Sequence, residues 1–245
     1  MPKFFAQREN FKENEVSIVG DDARHIARAL RMAVGDEISV LNDTGTEYTC
    51  RLLKIRDEEC IAEIISYAEG KTEMPATVTL YMGYPKGDKL EVVVQKAVEL
   101  GASVIVPFES SRCVKRPNPE KTEKQNKRLS KIAEEAAKQC GRSRLPRVMP
   151  PISFEAAISE AREADIALFC YEGTGTVSLK SALSIDKSVR TISVIVGCEG
   201  GFSDGEAEAA IKRGLTPVNL GPRILRCETA PSYVLSCISY VYELE

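Results

Sequence analysis

The 245-residue sequence predicts an α/β protein in two parts, a small β-rich region followed by a larger domain built on a parallel sheet. Residues 1–68 contain short runs of β-branched and aromatic residues separated by turns such as "NDTG". Residues 68–76 are polar and contain glycine and proline, which is typical of a domain boundary. Beyond them, apolar runs alternate with helical stretches, as expected when parallel strands are buried on both faces. We therefore place a first domain at residues 1–70 and a second at residues 76–245.

In the first domain, strands are predicted in "EISVLNDTGTEYTCRLLKI" and "CIAEIISYA". One helix, "DDARHIARALRM", interrupts the β-rich pattern. Its arginines Arg24, Arg28 and Arg31 recur at positions i, i+4 and i+7, so they predict a basic stripe on one helix face. His25 lies beside this stripe and is interpreted as a surface or packing residue.

In the second domain, about five strands are predicted, in "TVTLYMG", "SVIVPF", "IALFCY", "TISVIVG" and "TPVNLG". Helices are predicted in "DKLEVVVQKAVELG", around residues 120–140, in "DGEAEAAIKRG" and from Ala230 onward. Ser203 and Glu206 form a capping box, and Thr229 is a candidate N-cap for the last helix. The broad apolar face of that helix indicates either a subunit interface or burial within one subunit.

Composition excludes several classes of protein. With 43% apolar residues the chain can form a sizeable core, yet it has no apolar run of 18 residues, so no membrane partner or span is expected. The first ten residues lack the features of a secretion signal, which predicts a cytoplasmic protein. Eight cysteines without C-x-x-C spacing, and a single histidine, predict free thiols and no metal site.

Positive charge is concentrated in one segment. Residues 111–147 contain twelve Lys or Arg and four Asp or Glu, a local charge of +8 in a chain whose net charge is −3. Two interpretations stay open for this segment. It is either a solvated helix face or a surface that neutralises the phosphates of a nucleic acid.

Three strand-end loops are candidate binding sites, because ligands of α/β sheets bind at the carboxyl ends of the strands. They are "EGTGTVSLK", "CEGGFSDGE" and "PRILRCETAPS". The segment "GTGTVS" matches the dinucleotide pattern only with Ser178 in place of the last glycine, so an ordinary turn is the alternative. "GCEGGF" allows close approach of backbone to a ligand, or forms a purely structural turn.

The third loop contains apolar residues between charges. Ile224 and Leu225 lie between Arg223, Arg226 and Glu228. This composition suits a flat ligand such as adenine, whose edge pairs with backbone groups. Alternatively, the loop fills its own core and carries a structural arginine–glutamate pair.

Together, "VGCEGGFSDGE" and "LGPRILRCETA" resemble the paired motifs of the RsmE family, SPOUT-superfamily methyltransferases that form N3-methyluridine in small-subunit ribosomal RNA. "HIARALRMAVGDEISVLNDTG", "QKAVELG" and "EAAKQCGRSRLP" are similar to other blocks of the family in the same order, so the resemblance covers nearly the whole chain. Cys198 is a departure, because the family usually has proline in this turn.

The resemblance implies a PUA-like β-barrel followed by a SPOUT-type α/β domain with a C-terminal trefoil knot. It implies a homodimer that uses S-adenosylmethionine to methylate N3 of a uridine in 16S ribosomal RNA, with the small ribosomal subunit as partner. Periodicity alone predicts no knot, since knots are very rare among folds.

Site residues follow from the motifs and from the resemblance. The cofactor-binding residues are predicted to be Tyr171, Glu172, Gly197, Glu199, Gly200, Gly201, Leu220, Gly221, Ile224, Leu225, Glu228, Thr229 and Ala230. Arg226 or Arg223 is expected to stabilise a uridinate anion, and Glu199 and Glu228 are candidate bases or braces for an arginine. The RNA-binding residues are predicted to be Arg24, Arg28, Arg31, Arg112, Lys115, Arg116, Arg142 and Arg144.

Three rival functions remain at this stage. A noncatalytic RNA-binding module would share the basic segment but would not need three glycine-marked loops. A methyltransferase acting on another RNA would share all of these features. An NAD-dependent dehydrogenase would need a complete glycine fingerprint, which "GTGTVS" does not provide.

Overall fold

The computed structural model describes residues 1–183, 186 and 188–244, which form two compact units. The first unit contains residues 1–73 together with residues 137–145, and the second contains residues 74–136 and the chain from residue 146 onward. A segment from the middle of the sequence therefore belongs to the N-terminal unit, which the pattern of apolar residues does not indicate.

The first unit is built on a five-stranded sheet with the order β1-β3-β4-β5-β2. Its strands are β1 (Lys3–Phe5), β2 (Glu15–Val19), β3 (Glu37–Leu41), β4 (Thr46–Lys54) and β5 (Glu59–Glu69). β1 joins β3 in parallel, and the remaining pairs are antiparallel. Shifts of register between β4 and β5 bend the long hairpin. The predicted β-rich region is confirmed.

The predicted helix of the first unit is present but shorter than its pattern. It consists of α1 (Asp21–Arg24) and a π-helical turn, His25–Ala29, with Ile26 buried in the core. Arg31 follows the helix in the left-handed region, with φ of 50°. The prediction that Arg31 continues a helical stripe is therefore wrong, because the helix ends before it. His25 is exposed, as interpreted.

Segment 137–145 is held in the first unit by ionic contacts. The ammonium of Lys138 lies 2.7 Å from a carboxylate oxygen of Asp22. Glu73 pairs with the guanidinium of Arg142 and accepts hydrogen bonds from the backbone N–H groups of Ser143 and Arg144, at 2.9 and 3.0 Å. Burial raises the pKa of Glu73, but these donors outweigh it and lower the pKa overall.

The second unit is built on a parallel sheet with the order β11-β13-β10-β12-β6-β7-β8, and β9 also pairs with β7. Every strand pair in its described residues is parallel. The strands are β6 (Thr77–Gly83), β7 (Val104–Glu109), β8 (Arg147–Val148), β9 (Ile152–Ser153), β10 (Ile166–Cys170), β11 (Val177–Ser178), β12 (Thr191–Val196) and β13 (Thr216–Asn219). The five predicted strands are confirmed, and β8, β9 and β11 are two-residue additions.

After α1, the chain forms the four helices predicted from the sequence and two further helices that the sequence pattern did not indicate. They are α2 (Lys89–Glu99), α3 (Pro119–Cys140), α4 (Phe154–Ala161), α5 (Leu179–Ala182), α6 (Asp204–Lys212) and α7 (Thr229–Tyr242). The sequence analysis did not predict α4 or α5. Within the described residues, no helix combines the length and apolar character needed to cross a membrane.

The sheet of the second unit is buried on both faces, as predicted. On one face, Ile195 of β12 and Phe169 of β10 pack with Phe202 and with Phe154 of α4. The residues of β12 on either side of Ile195 are also buried. Because successive side chains of a strand point to opposite faces of the sheet, these residues pack on the other face. Helices α2 and α7 contact each other and bury apolar side chains.

Burial within the subunit is confirmed for the core of α7. Val234, Leu235 and Ile238 are completely buried in a single chain. The subunit-interface interpretation is therefore wrong for these three residues. Tyr233 and Tyr240, by contrast, are exposed on the same helix.

Strand order explains how binding loops come together in the second unit. β12 lies between β6 and β10, and β13 lies on the other side of β10. Because these strands are parallel, their carboxyl ends meet at one edge of the sheet. Gly83, the last residue of β6, approaches the turn after β12 so closely that an added Cβ would lie 2.5 Å from the backbone nitrogen of Cys198.

We expect Gly83→Ala to destabilise the protein by about 1–3 kcal/mol, because the new methyl group would push two backbone segments apart. The measurement is urea unfolding followed by circular dichroism. Gly205→Ala is the matched control, since an added Cβ in α6 meets nothing within 4 Å and favours a helix. Equal midpoints for Gly83→Ala and wild type would contradict the close approach.

Candidate functional site

A cavity of about 710 Å³ lies at the carboxyl ends of β10, β12 and β13 in the second unit. All three loops singled out in the sequence contribute to its lining. The predicted residues that line it are Tyr171, Glu172, Gly197, Glu199, Gly200, Gly201, Leu220, Gly221, Arg223, Ile224, Leu225, Arg226 and Ala230. Glu228 and Thr229, also predicted, are not part of the lining. The structure thus brings together predicted residues that are up to 59 positions apart in the sequence, from Tyr171 to Ala230.

The turn after β12 is closed by its own backbone. The N–H of Gly201 donates to the carbonyl of Cys198 at 3.0 Å, and Gly201 has a φ of 63°. The predicted capping box follows, with Ser203 and Glu206 each bonding the backbone of the other. Cys198 stands where the family usually has proline, but this hydrogen bond keeps the turn tight.

The thiol of Cys198 faces a second buried thiol, that of Cys113, beside the hydroxyl of Ser110. The hydrogen bond between the two thiols lowers the pKa of Cys113 and raises the pKa of Cys198. The turn after β12 is therefore joined to the loop after β7 by polar contacts between buried side chains. All eight cysteines are free, as predicted.

The loop after β13 is more open than the sequence predicts. Ile224 is 81% exposed, and only Leu225 of the apolar pair is half-buried. Among the described residues, neither Arg223 nor Arg226 has an ion-pair partner, so the alternative of a structural arginine–glutamate pair is wrong. Both arginines are exposed residues of the cavity lining.

The last helix begins one residue earlier than predicted. Glu228, not Thr229, occupies the N-cap position, and its side chain makes no capping hydrogen bond. The carboxylate of Glu228 instead lies 3.2 Å from the ammonium of Lys89. This pairing explains why the Glu228 side chain is directed toward α2 and does not cap its own helix.

Lys89 is a cavity residue that the sequence analysis missed. Its ammonium lies 3.0 Å from Glu199, and Glu199 also accepts a hydrogen bond from the backbone N–H of Lys86 at 3.1 Å. The missed signal is "YPKGDK", which follows the carboxyl end of β6 and so forms a fourth strand-end loop.

The environment of the two glutamates keeps them ionised. Burial raises the pKa of Glu199, but backbone N–H groups and Lys89 outweigh it and lower the pKa overall. For Glu228, its own backbone N–H and Lys89 lower the pKa. A carboxylate with a lowered pKa is a weak base, so this geometry favours the bracing alternative, with Lys89 as the braced cation.

The predicted RNA-binding residues of the second unit remain accessible. Arg112 lines the cavity and donates to the carbonyl of Gly200 at 3.1 Å. The Lys115 ammonium lies over the ring of Tyr84, and Arg116 pairs with Glu109 at an exposed position.

The predicted RNA-binding residues of the first unit are less uniform. Arg24 and Arg28 are exposed, although they pair with Asp21 and Asp57 respectively. Arg144 is exposed as well. The prediction for Arg142 is wrong, because only 6% of its side chain is accessible and its guanidinium is committed to Glu73.

Comparison with known proteins identifies the family. Residues 72–239 match the family described as an RNA methyltransferase domain, and residues 18–65 match the RNA methyltransferase PUA domain. Ribosomal RNA small subunit methyltransferase E of Bacillus subtilis strain 168 is 37% identical over 233 residues, which cover 93% of this chain and 91% of the relative. The chain belongs to the ribosomal RNA small subunit methyltransferase E family.

Further members of this family support the assignment. The Synechocystis relative of the same name is 31% identical, over 96% of this chain and 76% of its own length. A crystal structure of the Neisseria gonorrhoeae enzyme bound to S-adenosyl methionine superposes with a TM-score of 0.88 at 28% identity, covering 99% of this chain and 98% of that one. The resemblance stated from the motifs is confirmed, and a catalytic methyltransferase is favoured over a noncatalytic RNA-binding module.

The cavity fits S-adenosylmethionine. Its walls combine backbone turns with the apolar side chains of Val196, Val218 and Leu225, which suit an adenine ring whose edge pairs with backbone groups. The carboxylates of Glu172 and Glu199 lie in the lining, where they suit a ligand that carries an ammonium and a sulfonium cation.

Glu206 joins the loop after β7 to the start of α6, so its ionisation stabilises the contact between these two segments. Its carboxylate accepts from Ser111 N–H at 2.7 Å and from Ser203 N–H at 2.9 Å. Burial raises the pKa of Glu206, but these donors lower it overall. A lowered pKa in the folded state contributes stability above the unfolded pKa, and this contribution is lost as the pH falls through the folded value.

Glu206→Gln should therefore lower the free energy of unfolding at neutral pH by about 1–3 kcal/mol, with a smaller deficit in acid. Unfolding by urea between pH 3 and pH 7 measures this difference. Glu208→Gln, an exposed change on the same helix, serves as the control. A deficit that does not vary with pH would exclude the ionised carboxylate as its cause.

Proposed function

We propose that this protein transfers a methyl group from S-adenosylmethionine to N3 of a uridine in 16S ribosomal RNA. The observation that carries the proposal is the convergence of three strand-end loops on one cavity. Arg223 and Arg226 also line this cavity, and neither has an ion-pair partner in the described part of the chain. Membership of a family of small-subunit ribosomal RNA methyltransferases supports the substrate.

S-adenosylmethionine supplies the methyl group on an electrophilic sulfonium. The protein must therefore orient the acceptor for in-line attack and make its lone pair available. Uracil N3 carries a proton at neutral pH, so the acceptor reacts as its anion. In this proposal, the positive charges of Arg226 and Arg223, two residues of the cavity lining, stabilise the negative charge that spreads over N3 and its flanking carbonyls.

Glu199 and Glu228 have a supporting role in this proposal. Both are ion-paired with Lys89 and both have lowered pKa values, so neither is suited to remove a proton from uracil. The uridinate is then favoured mainly by electrostatic stabilisation, and its proton is released to solvent or to the RNA.

The basic residues bind the RNA backbone. The exposed side chains assigned to phosphate contacts are Arg24, Arg28, Arg31, Arg112, Lys115, Arg116 and Arg144. The match of residues 18–65 to a PUA domain of RNA methyltransferases supports a role of the first unit in this binding.

The finer architecture also belongs to the proposal. Residues 1–70 form the PUA-like β-barrel, and residues 76–245 form a SPOUT-type domain with a C-terminal trefoil knot. The chain forms β10, returns to insert β12 between β10 and β6, and then passes to the outer side of β10, which supports the knot. Exposed Tyr233 and Tyr240 on α7 support a homodimer, and eight free thiols support a cytoplasmic location.

Arg226→Ala is expected to reduce methyl transfer by about 10²–10³-fold, because it removes a positive charge that acts on the developing anion. Calorimetry with S-adenosylmethionine should show little change in donor affinity. Arg213→Ala, an exposed change after α6, is the matched control. Normal turnover by Arg226→Ala would remove this residue from the mechanism.

The target nucleotide is tested by mass mapping of ribosomal RNA from cells with and without the protein. We expect one uridine of 16S RNA to lose a methyl group at N3 in the cells without it. A methylation difference in another RNA would replace the proposed substrate.

Binding of RNA should weaken steeply with salt, and each phosphate contact removed should reduce the slope of log K against log salt by roughly 0.7–0.9. Arg144→Ala is expected to show this reduction. Arg142→Ala is the contrasting variant, since its buried pair with Glu73 predicts a lower unfolding midpoint and an unchanged slope. An unchanged slope for Arg144→Ala would remove Arg144 from the RNA-binding surface.

A further inference from the structure

Three charged side chains from three elements of the second unit meet at the edge of the cavity. Lys89 is the first residue of α2, Glu199 lies in the turn after β12, and Glu228 is the N-cap of α7. The Lys89 ammonium lies 3.0 Å from Glu199 and 3.2 Å from Glu228. One cation therefore joins two loops that form different walls of the same cavity.

No second cation substitutes for Lys89 in the part of the chain that the structure describes. Besides Lys89, the described polar contacts of these carboxylates come from their own backbone N–H groups, from the backbone N–H of Lys86 to Glu199 and from the thiol of Cys227 to Glu228. Because both carboxylates bind one ammonium, their oxygens lie within about 6 Å of each other, where like charges repel. Without Lys89, the two walls would be pushed apart.

The contact is more than an isolated surface pair. The side chains of Lys89, Glu199 and Glu228 are only 36%, 28% and 23% accessible. Lys86 holds the same glutamate from the same connection between β6 and α2, and Gly83 contacts the neighbouring backbone of Cys198. The segment from Gly83 to Lys89 thus supports the turn after β12 at three points.

We propose that Lys89 is a positioning residue for the methyl donor, which holds the Glu199 turn and the Glu228 loop at the separation required to bind it. This inference rests on the proposed function, because it takes the cavity to be the donor site. Lys89 acts through the two glutamates and is not assigned a contact with the reacting atoms.

The test compares Lys89→Met, Lys89→Arg and Lys96→Met. Lys96 lies on the same helix and pairs with Glu99 of that helix, so its removal leaves the cavity unchanged. Lys89→Met should weaken S-adenosylmethionine binding by about ten-fold in calorimetry, and should raise KM for the donor far more than it lowers kcat. Lys89→Arg should restore most of the affinity, and Lys96→Met should bind as wild type.

A pH profile of donor affinity separates positioning from general loss of structure. The ionisable groups that face Lys89 are Glu199, Glu228 and the buried thiol of Cys227. Since Lys89 lowers the pKa of both glutamates, its removal raises their pKa. The acid limit of donor binding should therefore move to higher pH in Lys89→Met and stay in place in Lys96→Met.

A double-mutant cycle with Glu228→Gln keeps the inference testable if one variant is unstable. Glu228→Gln should cost less affinity in the Lys89→Met background than in wild type, because the pair is already broken. Additive effects, or wild-type affinity in Lys89→Met, would overturn the role of Lys89. Absence of donor binding by the wild-type protein would instead overturn the proposed function.

Discussion

The parallel hydrogen bonding of β6, β12, β10 and β13 is the constraint on which the site depends. Parallel strands direct their carboxyl ends to one edge, so the four loops that leave these strands must emerge side by side. Residues from several of these loops share the lining of the cavity. Burial of the sheet on both faces holds the strands in register, and the loops inherit a fixed separation from the strands beneath them.

Charge is divided between two roles around the cavity. Cations that pair with carboxylates, such as Lys89 with Glu199, hold loops in place, whereas Arg226, which has no ion-pair partner among the described residues, is exposed at the cavity. The same division applies to the predicted RNA-binding residues, because Arg142 is committed to Glu73 whereas Arg144 is exposed. Residue type alone does not distinguish the two roles, since an arginine in a basic segment has the same charge in either one.

Features that depend on neighbouring residues could be predicted from the sequence more accurately than contacts between distant residues. The capping box at Ser203 and the helix around residues 120–140 depend on neighbours a few positions apart, and both are present. The predicted arginine stripe does not reach Arg31, because the helix ends before this residue and Arg31 has a left-handed backbone conformation. Glu228 is predicted from the sequence to bind the cofactor, but its carboxylate pairs with Lys89, which lies 139 positions earlier in the chain. Helix α4 was missed because its apolar pattern was not separated from the neighbouring strands.

The sequence by itself determined the family, the parallel α/β class of the second unit and the three loops that line the cavity, because periodicity and motif spacing are local properties of a chain. Only the tertiary structure decided which charges are paired. It placed residues 137–145 with the N-terminal unit and Lys89 between two glutamates. These outcomes depend on strand order, since the order decides which distant segments come within the few ångströms over which ions and hydrogen bonds act.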